Sequence, residues 1–178
     1  DKIESIPSGT VLICSMAGYG KSTLLSQLAL RNQPVAVCLL DHTDNDLYSF
    51  LQHLSAAIQR SVTQGEIDSG DQASTLLLQI CRTALANRMT LIFDNCQVIT
   101  DAEVCRALQF LMAEAEKGFR VVMGSRILPG FAARFILEGR CRLLGRDDLA
   151  LSEKETGQLV RMHLNVDNRQ FAKSLHDF

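Results

Sequence analysis

The sequence predicts an α/β fold, a five-stranded parallel sheet with helices on both faces. Two observations lead there. Apolar, β-branched runs at 11–15 (VLICS), 35–41 (VAVCLLD), 89–95 (MTLIFDN) and 119–126 (FRVVMGSR) alternate with longer stretches whose apolar residues recur at helical spacing. These runs are apolar through most of their length rather than at every second residue, which is the pattern of strands covered on both sides.

The first strand, 11–15, ends in a glycine-containing turn, and 21–31 (KSTLLSQLALR) follows with Leu24, Leu25, Leu28 and Ala29 on one helical face. Asn32, Gln33 and Pro34 break that helix before the second strand, which ends in Asp41. Residues 44–60 form an amphipathic helix with Leu47, Phe50, Leu51, Leu54 and Ile58 inward. The polar stretch 61–72 reads as an exposed loop, and 74–88 as another helix. After the third strand, Thr100 and Glu103 fit a capping box for a helix over 101–117, with Val104, Leu108, Leu111, Met112 and Ala115 as its inward stripe. Beyond the fourth strand come a short helix near 131–137 and a weak fifth strand within 141–151, either CRLLG or DLAL. Ser152 and Glu155 suggest a second capping box. The expected organisation is one α/β domain over 1–151 and the truncated beginning of a helical lid over 152–178.

At 178 residues and 47% hydrophobic, the chain supports one core with a small appendage. A formal net charge of −2 provides no basic field for a nucleic-acid backbone, so DNA or RNA binding by this chain alone is disfavoured. The six cysteines (14, 38, 81, 96, 105 and 141) show no CxxC and no zinc spacing, and most sit in apolar runs, which points to a reducing, cytoplasmic setting. No apolar run reaches the roughly 18 residues of a membrane-spanning helix. His42, His53, His163 and His176 are scattered and accompany no nucleophile motif, so a catalytic triad has little support.

The chemistry concentrates in SMAGYGKSTL, 15–24. A loop ending in G-K-[ST] between a strand and a helix turns its backbone N–H groups toward one point at the positive end of the helix, where an anion is favoured. Ala17, Gly18, Tyr19, Gly20, Lys21, Ser22 and Thr23 are the candidate nucleotide-binding residues. The glycines admit phosphate oxygens that a Cβ would block, Lys21 can reach the β- and γ-phosphates, and Ser22 can ligate Mg²⁺. Ser15 occupies the first motif position, where the strict pattern has glycine. Tyr19 can lie over the phosphates or face solvent.

Asp94, emerging from the third strand, is the expected second Mg²⁺ ligand. A strand and two helices separate it in sequence from the glycine loop, the spacing of the additional-strand branch of P-loop NTPases, in which another strand lies between the two motif strands. Asn95 follows where that branch often has a second acid. An amide cannot accept a proton, so hydrolysis is expected to be slow or to use another acid; Asp41 and Asp44 are candidates, with helix capping as their other reading. Arg126, closing the fourth strand, can report the γ-phosphate, or form a surface ion pair. Lys21, Asp94 and Arg126 are thus the candidate catalytic residues, and Ser22 and Asp94 the metal ligands.

AGYGKSTLLSQLA, LLDHTDNDLYSFLQHLSAAIQ, LIFDNCQVIT, VVMGSRILP and LALSEKETGQLV together resemble the signal-transduction ATPases with numerous domains (the STAND class). Within that class they are most similar to the large ATP-binding bacterial regulators of LuxR type related to the maltose-regulon activator. The similarity is collinear from about 11 to 165. It implies a switch in which ADP holds a closed monomer, while ATP and an inducer favour a self-associating form. DNA would be bound only through a domain absent from this chain. It assigns Lys21 to the phosphates, Ser22 and Asp94 to Mg²⁺, and Arg126 to sensing. In such proteins a segment upstream of the loop holds the base and a winged helix completes the lid, so the expectation is a fragment. The runner-up is a small-molecule kinase, because S-x-x-G-x-G-K-S also resembles shikimate-kinase-type loops and Arg140, Arg142 and Arg146 could arm its lid. A scaffold with a vestigial site is the third reading.

Overall fold

A computed structural model describes residues 8–30, 34–62 and 72–149. Its strands are β1 (Gly9–Cys14), β2 (Val35–Leu39), β3 (Thr90–Asp94), β4 (Arg120–Ser125) and β5 (Cys141–Leu144). They form one sheet in the order β2-β3-β4-β1-β5, and every neighbouring pair is parallel. Parallel neighbours need crossovers, which here are helices. These are α1 (Lys21–Ala29), α2 (Leu47–Gln59), α3 (Ala73–Ala86), α4 (Ala102–Ala115) and α5 (Gly130–Leu137), with a single turn, α6 (Arg146–Leu149), after β5.

The pleat divides the apolar residues between two cores. Leu12, Cys38, Leu91, Phe93, Val121 and Met123 join α2, α3, α4 and α5 in the larger one. Val11, Ile13, Ile92 and Val122 meet Leu25 and Leu28 of α1 in the smaller. The inward stripes of 44–60 and 101–117 fall where expected: Phe50, Leu51, Leu54, Ile58, Val104, Leu108, Leu111, Met112 and Ala115 are all buried. Leu47 is partly buried against the same cluster. Phe50 and Phe93 pack with ring centroids 6.0 Å apart. Burying each such ring contributes about 2–3 kcal/mol.

Several expectations change. β2 is not covered on both sides: it is an edge strand, with Val37 44% and Leu39 61% exposed. α1 centres on the inner strands and leaves the outer half of β2 bare. The helix expected from residue 44 begins as a 3₁₀ turn, His42–Asn45, and α2 proper is capped by Asp46, whose Oδ1 accepts from the Ser49 N–H at 2.8 Å. Thr100 and Glu103 do not form a capping box. The Thr100 N–H is bonded to Asn45 Oδ1 at 2.7 Å, while Asp101 caps α4 through the N–H groups of Glu103 and Val104 at 2.8 and 3.0 Å. Of the two fifth-strand readings, 141–144 is the strand and 146–149 is helical. The capping box at Ser152 and the lid over 152–178 lie outside the described residues. All six cysteines are free thiols. No helix among the described residues is long and apolar enough to cross a membrane.

Candidate functional site

The site lies at the C-terminal ends of β1, β4 and β3, where open parallel sheets place their ligands. β1 delivers the chain at Cys14 and α1 takes it up at Lys21. Gly18 (φ +89°) and Gly20 (φ +75°) are left-handed, a conformation that side chains with a Cβ rarely take. The Ser15 N–H donates to Ser125 O at 3.2 Å, pinning the start of the loop to β4. Residues 17–18 form a turn, and among the described residues no close hydrogen bond joins the backbone N–H groups from 17 to 23 to a protein carbonyl. A row of unbonded N–H groups opening a helix is suited to an anion.

Lys21 is buried, and burying an ammonium is costly unless hydrogen bonds replace its water. Its Nζ donates to Ser15 O, and to Met16 O at 2.6 Å, with Ser15 Oγ at 3.5 Å. The charge therefore sits inside the loop that carries it. Next to it, burial pushes the Cys14 thiol up, opposed by the Lys21 ammonium.

Ser22 and Asp94 meet although β4 separates their strands. The Ser22 hydroxyl donates to Asp94 Oδ2 at 2.7 Å, and Asp94 Oδ1 accepts the Asn95 N–H at 2.8 Å. Gly124 of β4 makes this crossing feasible. A Cβ there would stand 2.7 Å from Asp94 Oδ1 and 2.8 Å from Leu25 Cδ1. Sequence reasoning passed over Gly124, although a lone glycine inside a buried strand signals a close approach.

Asn95 has φ 64° and ψ 33°, left-handed geometry that asparagine tolerates. Its Oδ1 accepts from Gln97 Nε2 at 3.3 Å. Gln97 Oε1 in turn accepts the Arg126 N–H at 3.0 Å. Arg126 is exposed, and its guanidinium makes no ion pair or hydrogen bond among the described residues. Ser125 donates its hydroxyl to Ile127 O at 2.6 Å.

Asp41 and Asp44 are both engaged in capping the 3₁₀ turn. Asp41 Oδ1 accepts from the Thr43 hydroxyl and N–H at 2.6 and 2.7 Å, bonds that hold its carboxyl below the usual range. Asp44 is buried, with one oxygen on the Asp41 N–H at 2.9 Å and the other 3.1 Å from His53 Nδ1. Asn45 then ties this turn to the loop after β3: its Nδ2 donates to Val98 O at 2.9 Å, and its Oδ1 accepts the N–H groups of Thr100 and Asp101 at 2.7 and 2.9 Å.

Tyr19 is occupied by a protein group: the Arg146 guanidinium carbon lies 5.2 Å from its ring centroid, a cation–π contact. Arg140, one of the three arginines available to a kinase lid, is held by Glu116 and Glu138 at 2.7 and 3.2 Å and lies over the Phe135 ring at 4.8 Å. No groups of three or more potential metal-ligating His, Cys, Asp or Glu side chains occur among the described residues. A metal here would rest on the Ser22–Asp94 pair and on oxygens supplied by a ligand.

A glycine loop on β1, an acid on β3 and an intervening β4 define a P-loop NTPase fold of the additional-strand type. The family model described as AAA domain matches residues 7–128, and the chain belongs to that family. It is 28% identical over 171 residues to the HTH-type transcriptional regulator MalT of Yersinia enterocolitica, a match covering 89% of this chain and 19% of that regulator's length. Among solved structures it is similar to a Signal Transduction ATPase with Numerous Domains carrying a tetratricopeptide repeat sensor, from Pyrococcus horikoshii. That match has a TM-score of 0.59 and 18% identity, and covers 96% of this chain and 25% of the other. The ORC2 protein of Aeropyrum pernix, in ADPNP and ADP complexes, matches with a TM-score of 0.53 and 14% identity over 92% of this chain and 48% of its own. These likenesses bear out the class that the sequence motifs suggested, and the structural ones speak for the fold.

Proposed function

We propose that this chain is the ATP- and ADP-binding switch module of a cytoplasmic bacterial signal-transduction ATPase that regulates transcription, with slow hydrolysis. The observation that carries the reading is the 2.7 Å hydrogen bond between Ser22 and Asp94 beside a loop whose N–H groups are unbonded to protein. The donor set fits a phosphate chain and its metal: backbone N–H groups and an ammonium for phosphate oxygens, a hydroxyl and a carboxylate for Mg²⁺. Ser22 and Asp94 would hold the ion, which when bound supplies positive charge to the phosphate oxygens. Lys21 would exchange the Ser15 and Met16 carbonyls for phosphate, an exchange of one set of hydrogen bonds for a charge-assisted set. Tyr19 and Arg146 would close the loop side of the site.

Asn95 supports the switch reading over rapid turnover, because its amide orients neighbours without accepting a proton. With a net charge of −2 this chain offers DNA no basic field of its own, and DNA contact through another domain belongs to the same proposal, as does nucleotide-dependent self-association. The kinase reading loses ground because Arg140 is already engaged with two glutamates.

Titration calorimetry with Mg·ATP and Mg·ADP tests the assignment. The parent should bind both and Lys21→Ala neither, with its thermal melt unchanged in shape. Equal heats from parent and variant refute it.

A further inference from the structure

Gln97 stands on the turn after β3 and faces the end of β4. Its two amide atoms reach different loops: Oε1 accepts the backbone N–H of Arg126 at 3.0 Å, and Nε2 donates to Asn95 Oδ1 at 3.3 Å. Chemistry sets the orientation of this amide. A backbone N–H can only donate, so the atom facing Arg126 is the oxygen, and the nitrogen is left for Asn95. Ser125 Oγ also lies 3.5 Å from Oε1, but its proton is directed to Ile127 O at 2.6 Å.

The two loops so joined carry the two halves of the site. Asn95 follows Asp94 directly, and its N–H is bonded to the same carboxylate that receives the Ser22 hydroxyl. The Arg126 side chain makes no hydrogen bond or ion pair among the described residues, so its backbone is the part of the residue that the protein holds. That backbone is held on one side by the Ser15 N–H on Ser125 O at 3.2 Å. On the other side Ile127 and Leu128 are 64% and 49% exposed. Gln97 is thus the side chain that anchors Arg126 itself, where the chain leaves the sheet.

We infer that Gln97 is a positioning residue: it ties the aim of Arg126 to the Asp94–Asn95 turn and thereby lets the site distinguish a nucleoside triphosphate from a diphosphate. This rests on the nucleotide-binding reading above and specifies how that site would sense its ligand. The consequence is selective. On that reading Arg126 would reach for the third phosphate, so releasing its backbone would affect the triphosphate while the loop amides and Lys21 stay in place.

The test is a double-mutant cycle by calorimetry with Mg·ATP and Mg·ADP on the parent, Gln97→Met, Arg126→Ala and the double variant. Loss of one hydrogen bond to Arg126 should raise the Kd for ATP roughly three- to tenfold in Gln97→Met, with the Kd for ADP unchanged. The double variant should bind ATP as Arg126→Ala does, because Gln97 acts through that arginine. Equal weakening of both nucleotides, an unchanged ATP Kd, or additive losses overturn the inference while leaving nucleotide binding intact. A parent that binds neither nucleotide overturns it together with the reading beneath it. Amide hydrogen exchange without nucleotide gives a second measurement: in Gln97→Met the Arg126 N–H should exchange faster while those of Val122 and Met123 stay protected. An Arg126 rate equal to the parent's overturns the positioning role outright.

Discussion

Asn95 follows Asp94, where an acid would offer the proposed site a general base, and it meets its surroundings through its backbone and its amide oxygen. Its left-handed backbone, its N–H on Asp94 and its oxygen on Gln97 Nε2 make it a structural neighbour of Asp94. Aspartate tolerates the same backbone and would still accept from Gln97 Nε2, so Asn95→Asp adds a proton acceptor without disturbing the turn. General-base assistance is worth about a hundredfold or more, so steady-state ATP turnover should rise by at least about tenfold. The colorimetric release of phosphate, compared at saturating ATP, checks this. An unchanged rate places the limit elsewhere, in closure or product release.

At the scale of the elements, the Ser22–Asp94 pair exists because α1 lies close against β4 at Gly124. In Gly124→Ala the new methyl meets both the acid and Leu25, so either α1 lifts or Asp94 turns away. Overpacking of this kind costs about 1–3 kcal/mol, and a correspondingly lower urea midpoint at unchanged slope, with weaker nucleotide binding, is the expected outcome. A variant as stable as the parent means that α1 shifts without strain. This contact also shows what the sequence could convey. The stripes of α2 and α4 were legible because a 3.6-residue period needs only local residues, Lys21 and Ser22 because they close a local glycine motif, and Asp94 because it ends a local apolar run; that the two motifs meet across 72 residues is read from the structure. The edge position of β2 was hidden, since an apolar run reads the same at a sheet's centre and at its rim. Asn45 and Gln97 were hidden too: their partners lie 53 to 56 and 28 to 29 residues away among the contacts that matter, and nothing in a polar loop residue names its partner. Thr100 and Glu103 matched a capping pattern that Asp101, one position on, fulfils by itself.

Across the whole molecule the two cores are stapled by no disulfide, and their thiols make stability depend on alkaline pH. Burial pushes Cys38 and Cys81 up to about 12 and Cys141 up to about 11, from the usual 9.0; Asp44 and Glu114 add to the first two. Cys96 is raised by the same cause. Well below pH 9 the thiols are protonated whether the chain is folded or not, and they contribute nothing to the pH dependence. Above pH 9 the unfolded chain releases protons that the folded chain keeps, so stability falls as pH rises toward the folded values of about 11 to 12. Each such thiol contributes a slope of at most about 1.4 kcal/mol per pH unit. Urea unfolding under reducing conditions should therefore show a midpoint that is flat from about pH 7 to about 8, begins to fall near 9 and drops steeply beyond. Cys81→Ala carries a cavity penalty at every pH, yet its decline above pH 9 should be shallower than the parent's by one thiol's share. Parallel declines in parent and variant mean that Cys81 ionises as freely in the folded chain as in the unfolded one, contrary to its buried place on α3 in the larger core.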